Sequence, residues 1–270
     1  MIFPAFAGTT WHGGFGMMLK RHCPAAFASL YGGQDEARLY ALRPAPGDAF
    51  PSGSSLILQL TLFGAATEHA LACTQAIALL GEAGLDPAGR YTLEQASVVQ
   101  PGGDSIFYTA ADGLLMPPPD TQFVEWLENA SPANEILVRL ETPLCIKEGN
   151  AFLRKAPAYE QLLHRLFSRI DQLSHAINTA PPLPKDRRAE LFAEARKIVL
   201  TEESIKWSDL SRRSGRTGQQ MAFGGLIGQL RFKGNMSDTL PWLKAGQHVQ
   251  IGGKTAFGLG AYAIDPVASS

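Results

Sequence analysis

Residues 223–262 read "FGGLIGQLRFKGNMSDTLPWLKAGQHVQIGGKTAFGLGAY" and end in a run in which four glycines surround Lys254: Gly252, Gly253, Gly258 and Gly260. A Walker-type nucleotide loop needs G-x-x-x-x-G-K-[ST] before a helix, but His248 stands where the first glycine belongs. Glycine permits positive backbone angles and close approach, so N–H groups of this run can point at a phosphate while Lys254 adds charge. The alternative is a glycine-rich β-hairpin without a ligand.

The composition predicts a folded, soluble protein with one large core or two ordinary domains, since 45% of its 270 residues are hydrophobic. Cys23, Cys73 and Cys145 lie far apart without a C-x-x-C pair, so neither a zinc site nor a disulfide framework is indicated, and a cytoplasmic location fits best. No apolar run approaches the roughly 18 residues of a membrane span, and the N-terminus lacks a signal-peptide pattern.

Charge is divided unevenly along the chain. Residues 1–130 hold 5 Lys or Arg against 12 Asp or Glu, a balance of -7, and the remaining residues hold 19 against 13, a balance of +6. The formal charge of -1 for the whole chain hides this asymmetry. It points to a polyanionic partner, and the alternative is that the cations form an ordinary solvated face.

Turn-prone stretches at 116–120 and 129–134 predict a boundary near residue 130 and two α+β domains, 1–130 and 131–270. Hydrophobic periodicity predicts, in the first domain, a helix over 13–22, a strand of about eight residues within 54–64, a helix over 66–85 ended by Gly81 or Gly84, and strands over 91–100 and 105–110. In the second it predicts a strand over 135–146, helices over 159–177 and 189–199, and strands over 224–234 and 256–264.

Five segments carry a family resemblance: "SLILQLTLFGAA", "GLDPAGRYTLEQASVV", "ILVRLETPLCIK", "WSDLSRRSGRTGQQMAFGGLIGQLRFKG" and "GKTAFGLGAYAI". In this order they resemble the CRISPR precursor-RNA processing endoribonucleases of the RAMP superfamily, and the closing G-K-T-x-F-G-x-G is the most specific piece. The resemblance implies tandem ferredoxin-like (RRM-like) domains with a C-terminal glycine-rich loop, and cleavage of precursor crRNA. It also implies that no metal or other cofactor takes part and that the partners are CRISPR repeat RNA or crRNA and other CRISPR effector subunits.

The chain departs from the family pattern in two places. It reaches its first predicted helix at residue 13, so the first strand is short or displaced. The second domain carries a helical insertion at about 157–201 that is bulkier than a minimal ferredoxin-like domain requires, and a family branch can use such a feature to grip RNA.

Cations of the second domain are expected to hold the RNA. Arg212, Arg213 and Arg216 stand among Ser, Gly and Gln, a loop composition in which arginine forks reach phosphates or stack on bases; the alternative is an exposed basic loop. Lys20 and the glycine-rich run with Lys254 complete the predicted RNA-binding set. The basic helix that follows residue 184 mixes both charge signs, as an ordinary solvated helix does, and Trp207 is interpreted as core rather than as a stacking platform.

Metal-independent RNA cleavage requires a base for the 2′-hydroxyl, stabilisation of charge on the phosphate and an acid for the leaving 5′-oxygen; it leaves 2′,3′-cyclic phosphate and 5′-hydroxyl ends. His22 lies in a cation cluster, "KRHC", whereas His12 falls in a predicted N-terminal loop. Because the family has its acid or base near the first helix, the resemblance indicates four catalytic candidates: His22, Tyr31, Arg21 and Arg38. A histidine that ends a helix is also simply favourable to the helix dipole, and some family branches cleave with arginines instead.

Two other classes of function stay open. The first is a non-cleaving crRNA-binding subunit of a CRISPR effector complex, because the same fold serves as a scaffold. The second is a protein-interaction domain unrelated to RNA. Cleavage of repeat RNA in excess chelator separates the first from an endoribonuclease, and the salt dependence of RNA binding tests the second.

Overall fold

The computed structural model describes residues 1–3, 6–32, 38–47, 49–85, 88–149, 151–213, 220–222 and 224–267. The chain divides into two compact units, Met1–Glu125 and Trp126–Ser270, and each is described by itself. Within the described residues, no helix is both long and apolar enough to cross a membrane.

The first unit combines helices with short antiparallel strands. Its helices are α1 (Ala7–His22), α2 (Pro24–Tyr31) and α3 (Ala70–Ala83), and α4 (Phe123–Glu128) runs across the division between the units. Its strands are β1 (Tyr40–Arg43), β2 (Gln59–Leu62), β3 (Gln95–Val98), β4 (Ser105–Thr109) and β5 (Gly113–Leu114). β1 pairs with β2, and β3, β4 and β5 form a second antiparallel sheet.

Helix α1 begins at Ala7, earlier than the predicted residue 13, and forms the core of this unit with α3. Trp11, Phe15 and Leu19 recur at intervals of four along its buried face. Gly14 permits the close packing, because a Cβ at this position would lie 2.8 Å from the Cδ1 atom of Leu80. The early start of the helix is therefore explained by burial of its first turns.

The strands of the first unit are shorter than their sequences predict. The displaced first strand amounts to an isolated bridge between Ile2 and Ala49 in the part of the chain that the structure describes. β2 covers four residues instead of the predicted eight or so within 54–64, because its ladder with β1 ends at the pair Arg43 and Gln59. β3 is likewise shortened to Gln95–Val98 from the predicted 91–100, whereas the predictions for α3 and β4 are confirmed and Gly84 caps α3.

The second unit follows the β-α-β-β-α-β order of a ferredoxin-like domain. The described strands of its antiparallel sheet, in spatial order, are β13 (Tyr262–Pro266), β6 (Glu135–Leu144), β12 (Gly225–Lys233) and β9 (Val199–Ser208). The two helices of that order are α5 (Tyr159–Ala176) and α7 (Leu240–Ala245). Additional elements are the hairpin of β7 (Lys147–Glu148) and β8 (Ala151–Phe152), helix α6 (Lys185–Ala195), and the pair β10 (Ser211–Arg213) and β11 (Gln220–Ala222).

Helix α5 packs its predicted apolar face into the core of the second unit. Leu162, Leu166 and Leu173 are buried along this face. In β6, the buried Ile136 and Val138 alternate with more exposed neighbours, as expected for a strand that covers one face of a core. The predicted helices in 157–201 are confirmed as α5 and α6, of which α6 is the addition to the ferredoxin-like order.

Several elements of the second unit differ from their predictions. β9 has no counterpart in the sequence prediction, because its residues are mostly exposed and lack an alternating apolar pattern. α6 begins at Lys185 instead of residue 189, directly after Pro184. The predicted strand over 256–264 is wrong in its first part: β13 begins at Tyr262, because Gly258 and Gly260 have φ values of 86° and 77°, outside the β region.

Candidate catalytic site and nucleic-acid interface

Three elements of the first unit and the residues before β1 bring together a group that we name the tyrosine cluster: His12 and Tyr40, which are buried, and Tyr31 and Arg38, which are half-buried. His12 lies on α1, Tyr31 ends α2 and Tyr40 begins β1. The phenol oxygen of Tyr40 and the Nδ1 atom of His12 share a hydrogen bond of 2.8 Å. The Tyr31 hydroxyl donates to the backbone carbonyl of His12 at 2.8 Å, so both tyrosines are anchored to one turn of α1.

The tyrosine cluster carries a cation on each side of an aromatic stack. The Arg38 guanidinium carbon lies 5.1 Å from the centre of the Tyr31 ring. Phe27 stacks on Tyr31 with ring centres 5.1 Å apart, and the Lys20 ammonium lies 6.0 Å from the Phe27 ring centre. Gly16 makes room for this arrangement, because a Cβ there would lie 2.7 Å from the Tyr31 ring. Arg38 and Lys20 are thus held by cation–π contacts that leave their charge able to attract an anion.

Burial controls the protonation of the two phenols. It raises the pKa of Tyr31 above its ordinary value, and the opposing effects of the hydrogen bond to Tyr40 and the charge of Arg38 are smaller. Burial likewise raises the pKa of Tyr40, to which the neighbouring Tyr31 adds. Both phenols therefore remain neutral at physiological pH, and they act as hydrogen-bond partners rather than as phenolate bases.

The two histidines of α1 have opposite surroundings. The expectation that His12 lies in a loop is wrong: it lies in α1 and is 8% exposed, because the helix begins before it. His22 is exposed in the last turn, beside the exposed Lys20 and Arg21. The helix stops there because α2 restarts with Pro24. Of the predicted catalytic residues, the described contacts join Tyr31 and Arg38 in one cluster, while His22 and Arg21 lie at the exposed end of α1.

The glycine-rich loop, residues 252–260, is held against the end of β6. The Gly260 N–H donates to the Pro143 carbonyl at 3.1 Å, and the Ile251 N–H donates to the Gly260 carbonyl at 3.0 Å. Gly252 has a φ of 88°, and a Cβ on it would lie 2.7 Å from the Cys145 carbonyl oxygen. A short 3₁₀ turn, Thr255–Phe257, follows Lys254 instead of the helix that a nucleotide-triphosphate loop requires.

Only part of this loop faces outwards. The N–H groups of Phe257, Gly258 and Leu259 donate to carbonyls of the loop itself. Gly253 is exposed, and a Cβ added to it would meet no atom within 4 Å. Lys254 adopts a left-handed conformation with a φ of 63°. The geometry therefore leaves Gly253 and Lys254 as the segment that a ligand can approach, while Gly258 and Gly260 shape the loop from inside.

A second lysine, Lys147, follows the same end of β6 as the first residue of β7. Burial raises the pKa of the Cys145 thiol, and the charges of Lys254 and Lys147 act in the opposite direction. The charges of both ammonium groups therefore act on one sulfur atom, that of Cys145, at the end of β6. The loop and the start of the β7–β8 hairpin together form a positively charged end of the sheet.

The predicted arginine loop is partly a strand. Arg212 and Arg213 lie in β10, where their backbones pair with Met221 and Gln220 of β11, because the chain forms a hairpin between β9 and β12. The sequence did not predict this strand pair, because a composition of Ser, Gly and Arg is typical of a loop. Arg216 lies outside the described residues.

The expectation that Trp207 belongs to the core is also wrong, since its side chain is only partly buried at the end of β9. Sequence reasoning further missed Phe152 and Arg154, which contact it, and Lys147, which lies over the Phe152 ring. Their signal is a basic residue next to an apolar one on each side of the Gly-Asn pair in "IKEGNAFLR". In the described parts of the chain, no three His, Cys, Asp or Glu side chains gather in a group that could hold a metal ion.

Residues 138–262 match the model of the family described as CRISPR-associated endoribonuclease Cas6. The matched range lies within the second unit. It holds most of strand β6, the strands β9 and β12, helix α5 and the whole glycine-rich loop, so the resemblance found in the sequence is confirmed. Comparison with curated proteins found no match.

Solved Cas6 structures share the fold of the whole chain. A Cas6 product complex matches with 17% identity and a TM-score of 0.61, over 98% of this chain and 95% of that one. Cas6 of Thermus thermophilus matches with 15% identity and a TM-score of 0.59, over 97% and 93%. A partial Cas6-RT-Cas1–Cas2 complex matches with 12% identity and a TM-score of 0.58, over 95% of this chain but 43% of that one. These likenesses confirm the predicted α+β class and the tandem ferredoxin-like fold.

Proposed function

We propose that the protein is an endoribonuclease that binds CRISPR repeat RNA and cleaves precursor crRNA. The observation that carries the proposal is the match of residues 138–262 to the Cas6 family model, a range that includes a glycine-rich loop with Gly253 exposed next to Lys254. Cas6 proteins of the same fold have been solved as product and substrate-mimic complexes, which supports an RNA-processing role for this chain.

RNA is held in this proposal mainly by the second unit. Lys254 and Lys147 supply charge at the end of β6, and Arg212, Arg213 and Arg216 are proposed to add further phosphate contacts. Phosphate contacts of this kind provide affinity without reading the sequence. Lys20 contributes a further phosphate contact from the first unit.

The reaction is an attack of the 2′-oxygen on the adjacent phosphorus. The 2′-hydroxyl loses its proton, the phosphorus–5′-oxygen bond breaks, and the leaving 5′-oxygen takes up a proton. The products are a 2′,3′-cyclic phosphate and a 5′-hydroxyl. Because the nucleophile belongs to the RNA itself, a positioned acid or base and a cation suffice, and the proposed reaction requires no metal.

The surroundings of each catalytic candidate indicate its role in the proposed reaction. His22 transfers a proton, since it is the accessible histidine of α1 whereas the Nδ1 atom of His12 is engaged with Tyr40. Arg38 stabilises the charge that develops on the phosphate, with Arg21 as a second cation near His22. Tyr31 positions Arg38 through its ring, because its hydroxyl already donates to the His12 carbonyl.

Single-turnover cleavage of a repeat RNA in excess chelator tests the proposal. We expect one cut within the repeat, an upstream product that resists phosphatase until its cyclic end is opened by acid, and a downstream product that polynucleotide kinase labels directly. Tight binding without cleavage would instead identify a non-cleaving crRNA-binding subunit. Absence of salt-sensitive RNA binding would contradict both and favour a protein-interaction domain.

Other CRISPR proteins are proposed as partners. The support is that one matching chain belongs to a Cas6-RT-Cas1–Cas2 complex, of which this chain covers less than half. Co-purification of the tagged protein with and without ribonuclease treatment measures whether such partners bind the protein directly or through RNA.

A further inference from the structure

Four side chains of the second unit form a layered group that we name the cation–aromatic stack: Lys147, Phe152, Arg154 and Trp207. Lys147 and Phe152 are directly paired in the β7–β8 ladder, with the ammonium nitrogen 5.5 Å from the Phe152 ring centre. The Arg154 guanidinium carbon lies 4.3 Å from the Trp207 ring centre. The rings of Phe152 and Trp207 are 5.8 Å apart, so the four groups form one continuous surface.

Strand alternation turns this surface to solvent. Ile146 and Leu153 are buried, and the Leu153 N–H donates to the Ile146 carbonyl at 2.9 Å. Lys147, Phe152 and Arg154 lie next to them in sequence, on the opposite face, and are exposed. Phe152 leaves 38% of its surface exposed even though both cations are beside the rings, so its apolar ring remains accessible to a ligand.

The stack is rigidly supported. The Arg165 guanidinium donates to the Lys147 carbonyl and the Gln161 amide donates to the Glu148 carboxylate, so two residues of α5 hold the β7–β8 hairpin. The Trp207 indole N–H donates to Asp209 at 2.7 Å, which fixes the ring plane. The carboxylates of Glu148 and Asp209 beside the stack are therefore both engaged in hydrogen bonds.

One face of Trp207 is closed by the chain itself. A Cβ on Gly224 would lie 2.8 Å from the Trp207 ring, so the ring packs against the backbone at this glycine. The guanidinium of Arg154 covers the ring as well. A ligand consequently meets the outer plane of Arg154 and the ring of Phe152, with Trp207 as their support.

Two lysines provide positive charge beside this surface. Lys147 belongs to the stack and also acts with Lys254 on the Cys145 thiol at the end of β6. The stack begins two residues after Cys145, whose carbonyl oxygen would lie 2.7 Å from a Cβ on Gly252 of the glycine-rich loop, so the stack and the loop are close to each other. A polyanion that contacts both lysines therefore has its neighbouring chemical groups next to the side chains of Phe152 and Arg154.

We propose that the cation–aromatic stack binds unpaired bases of single-stranded RNA whose phosphates contact Lys147 and Lys254. Aromatic rings and guanidinium planes stack on splayed bases with little dependence on base identity, because every base has a π face. This inference rests on the proposed RNA binding and adds that a single-stranded segment of the RNA, rather than only a paired stem, is held at this end of the sheet.

Binding of the full-length protein to a repeat RNA with single-stranded flanks tests the inference by fluorescence anisotropy. We expect Phe152→Ala and Arg154→Ala each to weaken binding about 5- to 100-fold, the range found when a base-stacking side chain is removed. Phe152→Ala removes no charge, so its salt slope should equal that of the native protein. Val199→Ala, which truncates an exposed side chain at the opposite end of β9, serves as the matched control and should bind normally.

Abasic substitutions in the flanks make the test specific. If bases stack on Phe152, an RNA with abasic sites at the contacted positions binds the native protein and Phe152→Ala equally, because the ring has lost its partner in both cases. Equal binding of the intact RNA by the native protein and by both variants would overturn the inference while leaving RNA binding established. Failure of the native protein to bind any repeat RNA would instead overturn the proposed function.

Discussion

The phenol of Tyr40 and the ring of His12 meet through a hydrogen bond of 2.8 Å, and both side chains are buried. This contact joins the first residue of β1 to the middle of α1. Since Tyr31 donates to the carbonyl of the same histidine, one turn of α1 fixes both tyrosines and, through the Tyr31 ring, the guanidinium of Arg38.

Tyr40→Phe should lower the free energy of unfolding by about 1–3 kcal/mol, because the His12 ring loses its phenol partner in a buried site. Urea unfolding followed by far-UV circular dichroism measures the change. Tyr108→Phe, which alters a partly exposed tyrosine of β4, is the matched control and should change stability by less. Equal small effects of both variants would show that the His12–Tyr40 contact contributes little.

His22→Ala should slow single-turnover cleavage by about 10²- to 10⁴-fold while RNA affinity stays nearly unchanged, as expected for loss of a positioned acid or base. The matched control is His175→Ala, since His175 is likewise exposed in the last turn of a helix, α5. If His22→Ala cleaves at the normal rate and Arg38→Ala does not, the mechanism depends on charge stabilisation and our assignment of His22 is wrong.

Arg38→Ala should reduce the cleavage rate by about 10²- to 10³-fold, the effect of removing one preorganised group that stabilises charge in the transition state. Tyr31→Phe keeps the ring under the guanidinium and should cleave within about tenfold of the native rate, whereas Tyr31→Ala removes the ring and should approach Arg38→Ala. Arg90→Ala, an exposed arginine of the same unit, controls for loss of charge alone. A larger loss in Tyr31→Phe than in Arg38→Ala would make the phenol itself the catalytic group.

Replacing Arg212, Arg213 and Arg216 together by alanine should weaken repeat-RNA binding and reduce the salt slope by roughly one to three, at about 0.7 to 0.9 for each lost phosphate contact. The comparison variant replaces three exposed cations of the α6 region, Lys185, Arg187 and Lys197, of which the last two already pair with Glu190 and Glu194. Its slope should not change. Identical slopes for the two triple variants would mean that the β10–β11 arginines are only solvated.

Alkaline pH should destabilise the first unit through its buried phenols. Folding raises the pKa of Tyr31 above the ordinary value of 10.0, so its stabilising effect is complete below pH 10 and is lost as the pH rises towards the folded pKa. Tyr31→Phe should therefore lose stability less steeply above pH 10, by up to about 1.4 kcal/mol per pH unit. Urea unfolding at a series of pH values measures the slope, and parallel curves for the variant and the native protein would contradict the prediction.

The parts of the fold that the sequence predicted well are those with a strong local pattern. The apolar periodicity of α5 and the alternation of β6 survive in the structure, because a long amphipathic element buries the same face in any compact arrangement. β9 gave no such signal, since its residues are mostly exposed and its partners in the sheet, not its own pattern, make it a strand. The sequence indicates that Gly258 and Gly260 permit positive backbone angles. Their positive φ values in the structure exclude them from the predicted strand, which begins after them.

For the candidate site, the sequence by itself determined the residue types and their order: a basic end of α1, two tyrosines and an arginine after it, and a glycine-rich run around Lys254 near the C-terminus. Only the tertiary structure decided which of these groups meet. It buried His12 between two tyrosines and left His22 exposed, and it put Trp207 under Arg154, 53 positions away in sequence, because the β7–β8 hairpin and the end of β9 come together at one end of the sheet. Side-chain types and backbone preferences are local properties of a sequence, whereas burial and contact arise from long-range packing that no single segment specifies.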